Sequence, residues 1–350
     1  MEKSLLKAVA TKPDLKYKML CWCIIKSSGR LIFISTIVAV WYFTSTDFTL
    51  TWNLLLFFPI ALIFNANLLY SSVLKGEGKH VLSSFFENTS YFSLSLIFVF
   101  LFFYFKGVIE IADIIFSHFI SSLFISSLYI FKFFRLYRND MQSFGELHNP
   151  VFGRISVIGN LNKFIPILIL SMYVDLSSVS TFKVSEQLAF SSGFILLVVN
   201  AVYSSAFVKL SNSGDTVGLF SSFKKAMLFS VLTGAASVIL IFSFSDFLFS
   251  YTNIKQGSYE ICFLILLLAA FINLAAGPVF TFLTMTGLEK SVEKIMLLSV
   301  IVSFVLLPVS YFYQSVEIVS FIVLVASVIQ NAGALIVVKK RWEDAQRLNN

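Results

Sequence analysis

Ten apolar runs succeed one another between Leu31 and Val338, at roughly 31–46, 51–74, 88–105, 111–133, 152–173, 181–207, 226–246, 259–285, 293–312 and 316–338. Each is close to the ~20 residues that a helix needs to cross about 30 Å of hydrocarbon. The links between them leave no room for a separate soluble domain. In lipid only helices and closed barrels satisfy every backbone polar group, and a barrel would show alternating segments of about ten residues rather than continuous apolar runs. The chain is therefore expected to be all-α, a polytopic membrane protein of about ten transmembrane helices. Composition agrees, with 57% hydrophobic and 13% charged residues against about 25% charged in soluble domains. The 41 phenylalanines suit lipid-facing walls.

Ahead of the first run, Met1–Arg30 interleaves basic positions (Lys3, Lys7, Lys12, Lys16, Lys18, Lys26, Arg30) with Leu5, Leu6, Val9, Leu15 and Leu20, interrupted at Pro13. This reads as a basic amphipathic cytoplasmic leader whose lysines meet anionic lipid. Alternate connections carry the rest of the charge, so that one side of the membrane holds 22 of the 26 basic residues. Only Lys106, Lys183 and Lys255 fall on the other side, and Lys163 lies within a span. Basic loops stay in the cytoplasm, which places both termini there. The same bias accounts for the net charge of +7 without nucleic acid. The opposite links, Ser45–Asp47, Val174–Ser180 and Gln314–Glu317, are short and acidic or neutral. The longest inner link, Arg135–Pro150, sets the expected organisation: a leader at 1–30, an N-terminal four-helix lobe at 31–134, a lobe connector at 135–150, a C-terminal six-helix lobe at 151–338, and a basic tail at 339–350.

No constellation for catalysis is present, and no enzyme activity, cofactor or metal is expected. His80, His118 and His148 stand apart; Cys21, Cys23 and Cys262 are too scattered for a disulfide framework or a zinc site. There is no Gly-rich phosphate loop, and Gly76-Glu77-Gly78-Lys79 is a turn between helices. Asp113, near an outer membrane end, is expected to be solvated. Asn65, Asn67, Asn273, Gln330 and Asn331 add polar points within spans, and Gly277-Pro278 at mid-span is a kink or broken-helix signal.

The hairpin at Val151–Leu210 is different, because both of its helices carry charge where hydrocarbon should be: Lys163 in one and Glu186 in the other. A charge at the bilayer centre costs roughly 2.5–3.5 kcal/mol on insertion scales and usually faces a bundle interior or a wet cavity. At 100° per residue, Ser156, Gly159, Asn160 and Lys163 share one face, whereas Arg154 lies opposite and snorkels to the headgroups. Glu186, Gly193, Asn200 and Ser204 fall within roughly 40° of one line if the sixth span is a continuous helix. The depths of Lys163 and Glu186 differ by about 7 Å, a gap that a lysine side chain nearly closes. Two readings stay open. The pair is an interhelical seam that fixes packing, or Lys163, Asn160, Asn200 and Ser204 line a site for an anionic substrate, with Glu186 as ion pair or coupling group.

The segments Phe182–Ala189 and Val198–Leu210 resemble the eighth helix of bacterial polysaccharide (O-antigen, Wzx-type) flippases, members of the multidrug/oligosaccharidyl-lipid/polysaccharide exporter superfamily. Asn273–Pro278 followed by Met285–Lys290 is similar to that family's tenth helix and the turn after it. Leu74-Lys-Gly-Glu-Gly and Phe86-Glu-Asn-Thr are similar to the turn and helix start after its fourth. The resemblance implies a two-lobed MATE-like bundle of which these spans are helices three to twelve, the first two being absent. It implies a multi-pass flippase of the bacterial inner membrane, without enzyme activity, that moves an undecaprenyl-diphosphate-linked oligosaccharide for O-antigen or capsular polysaccharide biosynthesis. Coupling to a proton or sodium gradient would drive it. Its implied partners are the polyprenyl-diphosphate-linked oligosaccharide, membrane lipids, and a polysaccharide polymerase with chain-length proteins. A cation-coupled multidrug exporter of the same superfamily, a polysaccharide polymerase and a truncated non-transporting remnant remain as alternatives.

Overall fold

A computed structural model describes residues 2–43, 51–84, 86, 90–109, 111–136, 150–250 and 260–349. The link Ser45–Asp47, residues 137–149 of the expected connector (with His148), and Lys255 lie outside the described residues. Among the described residues the chain is helical throughout, with no strand. It divides into two compact units, Met1–Asn149 and Pro150–Asn350.

In the first unit, α1 (Glu2–Thr11) leads through a single 3-10 turn to α2 (Lys16–Phe43), followed by α3 (Thr51–Gly76), α4 (His80–Ser84), α5 (Ser90–Lys106) and α6 (Ile111–Leu136). The leader's apolar stripe is spent inside the protein. Leu5, Val9 and Leu20 are buried with Leu69, Val73 and Leu74 of α3, and at Gly76 a Cβ would meet Val9 Cβ at 2.9 Å. An unbroken α2 then carries the chain from Lys16 past Arg30. The turn after α3 is tied by Glu77, which takes ion pairs from Lys16 and, at 2.9 Å, from Lys79. Asp113 corrects its expectation. It is buried and paired with Lys106 at 2.5 Å, because the short α5–α6 turn, with Gly107 at φ 73°, folds the lysine back over it.

The second unit contains α7 (Pro150–Leu170), α8 (Leu176–Ser191), α9 (Phe194–Asn212), α10 (Thr216–Ser243), α11 (Ser245–Ser250), α12 (Glu260–Ala275), α13 (Val279–Met285), α14 (Glu289–Tyr313) and α15 (Val316–Asn349). Of the ten expected spans, five helices are long and apolar enough to cross a membrane among the described residues: α7, α9, α10, α14 and α15. The bent pair α12–α13 makes a sixth. Among the described residues of the first unit, Ser93–Lys106 and Asp113–Ser127 are shorter apolar helical stretches.

The break at Gly277-Pro278 bends α12 against α13 by 41°. Pro278 has no N–H for the Leu274 carbonyl, which instead accepts from Gly277 N at 3.0 Å and from Ser230 Oγ of α10 at 2.8 Å. Gly277 sits at φ +62°, and a Cβ there would lie 3.0 Å from Met227 Cα. Apolar side chains gather on either side of this level. Phe182, Phe249, Cys262, Leu266 and Val319 form one core. Phe207, Phe220, Phe223, Phe282 and Trp342 make an aromatic cluster nearer the other helix ends.

Candidate functional site

α7 packs chiefly against α14. The sector that does so is apolar, with Val151, Phe152, Ile155, Ile165, Pro166 and Leu170 buried. Gly159 belongs to this sector, where a Cβ would meet Met296 Cε at 3.2 Å. The remainder of the expected stripe, Ser156, Asn160 and Lys163, is exposed on the surface of the unit. Lys163 makes no ion pair among the described residues.

Arg154 has a protein partner that its sequence neighbours do not show. It forks onto Glu293, with Nε on Oε1 and Nη2 donating to Oε2 at 3.1 Å. The reason is register: each residue lies four positions into its helix, and the two helices are neighbours. A bidentate carboxylate matches the planar donors of a guanidinium.

Lys163 does not pair with Glu186. α8 starts at Leu176, earlier than the expected span, because Asp175 caps it by accepting from Ser177 N at 3.2 Å and from Ser178 Oγ at 2.6 Å. These bonds hold the Asp175 carboxyl below the ordinary carboxylate range, the Ser178 hydroxyl first among them. Lys183 then lies one turn before Glu186 and donates to its Oε2 at 2.6 Å. The carboxylate is satisfied within its own helix.

The sixth span is not one helix. At Ser192-Gly193 the hydrogen bonds tighten to i→i−3, from Gly193 N to Phe190 O at 2.9 Å and from Ile195 N to Ser192 O at 3.2 Å. Each such step turns the chain about 120° instead of 100°, a change of about 40° over the two steps that still leaves Glu186, Asn200 and Ser204 within about 40° of one another. α8 packs on α12, and α9 packs on α10 and α13. Asn200 is half-buried, its Oδ1 enclosed without a hydrogen-bond partner among the described residues. Ser204 is buried and its hydroxyl is spent on the Ala201 carbonyl at 3.4 Å. Lys163 and Asn160 thus stand together on α7, while Asn200, Ser204 and Glu186 belong to other surroundings.

Two polar residues missing from the sequence reading, Asn162 and Ser299, meet between helices. Asn162 Nδ2 donates to Ser299 Oγ at 3.0 Å, as does Gln330 Nε2 of α15 at 2.7 Å. On the other side of α15, Asn331 Nδ2 donates to Asn273 Oδ1 of α12 at 2.8 Å. The signal for Asn162 was present in the sequence: it is a carboxamide in the middle of the Ile155, Ile158, Ile165, Ile169 face.

No protein-family model and no curated protein matches the sequence. Solved structures do match, and all those described here are transporters. The chain is similar to a transporter of the MOP superfamily from Pyrococcus furiosus (TM-score 0.77, 12% identity, covering 99% of this chain and 83% of that one), whose binding pocket has reversed polarity, suggesting a different function. It is similar to an outward-facing multidrug-resistance MATE family transporter (0.75, 11%, 99% and 83%). It is also similar to the Vibrio cholerae MATE transporter VcmN in its bent form (0.71, 13%, 98% and 84%). The fold is that of the MATE transporters.

Proposed function

We propose that the chain is a flippase that moves an undecaprenyl-diphosphate-linked oligosaccharide from the cytoplasmic to the outer leaflet of the bacterial inner membrane. One observation carries this reading: Lys163 stands beside Asn160 at the middle of an apolar helix with no ion-pair partner among the described residues. A cation there is costly in lipid, and a diphosphate is the kind of group that repays it. In this reading residues 31–134 and 151–338 act as the two lobes, both termini are cytoplasmic, and rocking of the lobes gives alternating access. A proton or sodium gradient supplies the drive, and the polymerase and chain-length proteins take the product. The charge balance of the second unit supports the orientation. Lys209, Lys224, Lys225, Lys290, Lys294, Lys339, Lys340 and Arg341 stand at one set of helix ends, interspersed with Asp215, Glu289, Glu293, Glu343 and Asp344, whereas the other ends carry Asp175, Glu186, Asp246, Glu260 and Glu317 with Lys183 as the one basic residue among the described ones, and the excess of lysine and arginine marks the cytoplasmic side. Export of cationic drugs, the second reading, would favour an open carboxylate over an open lysine, and Glu186 is already held by Lys183.

The test is complementation of a bacterium that lacks its own repeat-unit flippase. The chain is expected to restore long-chain surface polysaccharide, and Lys163→Ala to fail at an equal membrane level, with drug susceptibility unchanged in both. Drug resistance without surface polysaccharide would establish the exporter instead.

A further inference from the structure

Ser299 is fully buried, and its hydroxyl donates to the Met296 carbonyl at 2.8 Å. Only lone pairs then remain for its neighbours, so the carboxamides of Asn162 and Gln330 must both turn their NH2 groups towards it, which fixes the orientation of each amide. The two carbonyl oxygens, Asn162 Oδ1 and Gln330 Oε1, are left without a protein partner among the described residues. Neither belongs to the enclosed atoms, and both side chains are half-buried. Two acceptors without a protein partner among the described residues therefore lie beside Ser299, where α7, α14 and α15 meet.

The position makes this informative. Asn162 lies about 18 Å along α7 and Gln330 about 21 Å along α15, at 1.5 Å per residue, near the middle of each apolar stretch. An acceptor left unmatched away from water costs about 1–3 kcal/mol. Water or a ligand that donates to these oxygens would remove that cost. Both are neutral, and the carboxylate six residues before Ser299 on α14, Glu293, is occupied by Arg154. Neutral acceptors without a free acid suit O–H donors better than a cation, whose charge they would not balance. We propose that Asn162 and Gln330, held by Ser299, form a hydroxyl-reading site for the sugar portion of the transported ligand. The neighbouring Lys163, about 100° further round α7, takes the diphosphate portion. This rests on the reading of the chain as a carrier of lipid-linked oligosaccharide.

The experiment measures binding by the purified full chain in a sugar-free detergent. The probes are farnesyl diphosphate and its glucosyl, galactosyl and N-acetylglucosaminyl derivatives. Wild type is expected to bind at least one glycosylated probe about tenfold more tightly than farnesyl diphosphate, the worth of one or two hydrogen bonds. The double variant Asn162→Leu, Gln330→Met is expected to lose that ratio while keeping its affinity for farnesyl diphosphate, which also reports that it is folded. Lys163→Ala is expected to weaken all four probes alike. A double variant that keeps the sugar preference overturns the proposal and leaves the flippase reading standing, as does a wild type that binds all four probes equally. A wild type that binds none of them overturns both. Loss in the double variant of tetraphenylphosphonium or sodium binding alone would make the site a cation site and overturn the proposal.

Discussion

In the sequence, Lys163 and Glu186 look like equals, one charge in each of two apolar helices on either side of a single turn. The structure treats them in opposite ways. Glu186 is neutralised by Lys183 on its own helix, and its side chain is only 16% exposed. Lys163 is exposed and without a salt-bridge partner among the described residues. A charge answered one turn away on its own helix needs no further explanation, and such pairs are worth about 0.3–0.5 kcal/mol. A charge left open at mid-span is maintained at a cost, and the cost points to what it meets.

The largest effect that sharpens this contrast is expected at Lys163. Its replacement by Ala is predicted to weaken binding of a lipid diphosphate about 10- to 100-fold, the range for a charge-assisted hydrogen bond. Lys163→Arg should retain most of the affinity, and titration calorimetry at two salt concentrations reads both. Next comes the break that sets the course of α12–α13 beside α8 and α9. Gly277→Ala places a side chain at φ +62° against Met227 and is predicted to cost about 1–3 kcal/mol, read as a fall in the unfolding midpoint in detergent. Glu186→Gln should change transport by less than about threefold, since it removes only a local pair. A complete loss of transport would break the contrast and make Glu186 a coupling group.

The smallest effect concerns another answered charge, Glu77. Burial opposes its ionisation, but hydrogen bonds from Lys16 and Lys79 prevail and hold its carboxyl below the usual 4.5. A depressed folded value stabilises the protein above the unfolded value, and that stability is lost as pH falls through the folded value. Hydrogen exchange in α1 and at the C-terminal end of α3, corrected for its intrinsic pH dependence, is therefore expected to quicken below pH 4.5 and to be unchanged between neutrality and that point.

Helix class and the Gly277-Pro278 break were legible because apolar run length and the missing proline N–H are local properties. The polar assignments were less so, because each depended on a neighbour outside the run. Arg154 was placed on the correct side of α7, yet its partner Glu293 is 139 positions away. Asp113 looked solvated because the turn that folds Lys106 over it is a matter of backbone geometry. The stripe from Glu186 to Ser204 crosses a break at Ser192-Gly193 into two helices with different neighbours, α8 on α12 and α9 on α10 and α13, and no spacing rule shows which neighbour each residue meets. Asn162 was overlooked because the polar face of α7 drew attention from the one carboxamide on its apolar face.

The central claim is that the open cation on α7, and not the carboxylate on α8, handles the ligand. Its most direct test is translocation of a fluorescent polyprenyl-diphosphate oligosaccharide in vesicles reconstituted with wild type, Lys163→Ala or Glu186→Gln. Transport that survives in the Glu186 variant and disappears in the Lys163 variant is the predicted result. The reverse pattern, or full activity in Lys163→Ala, would contradict it.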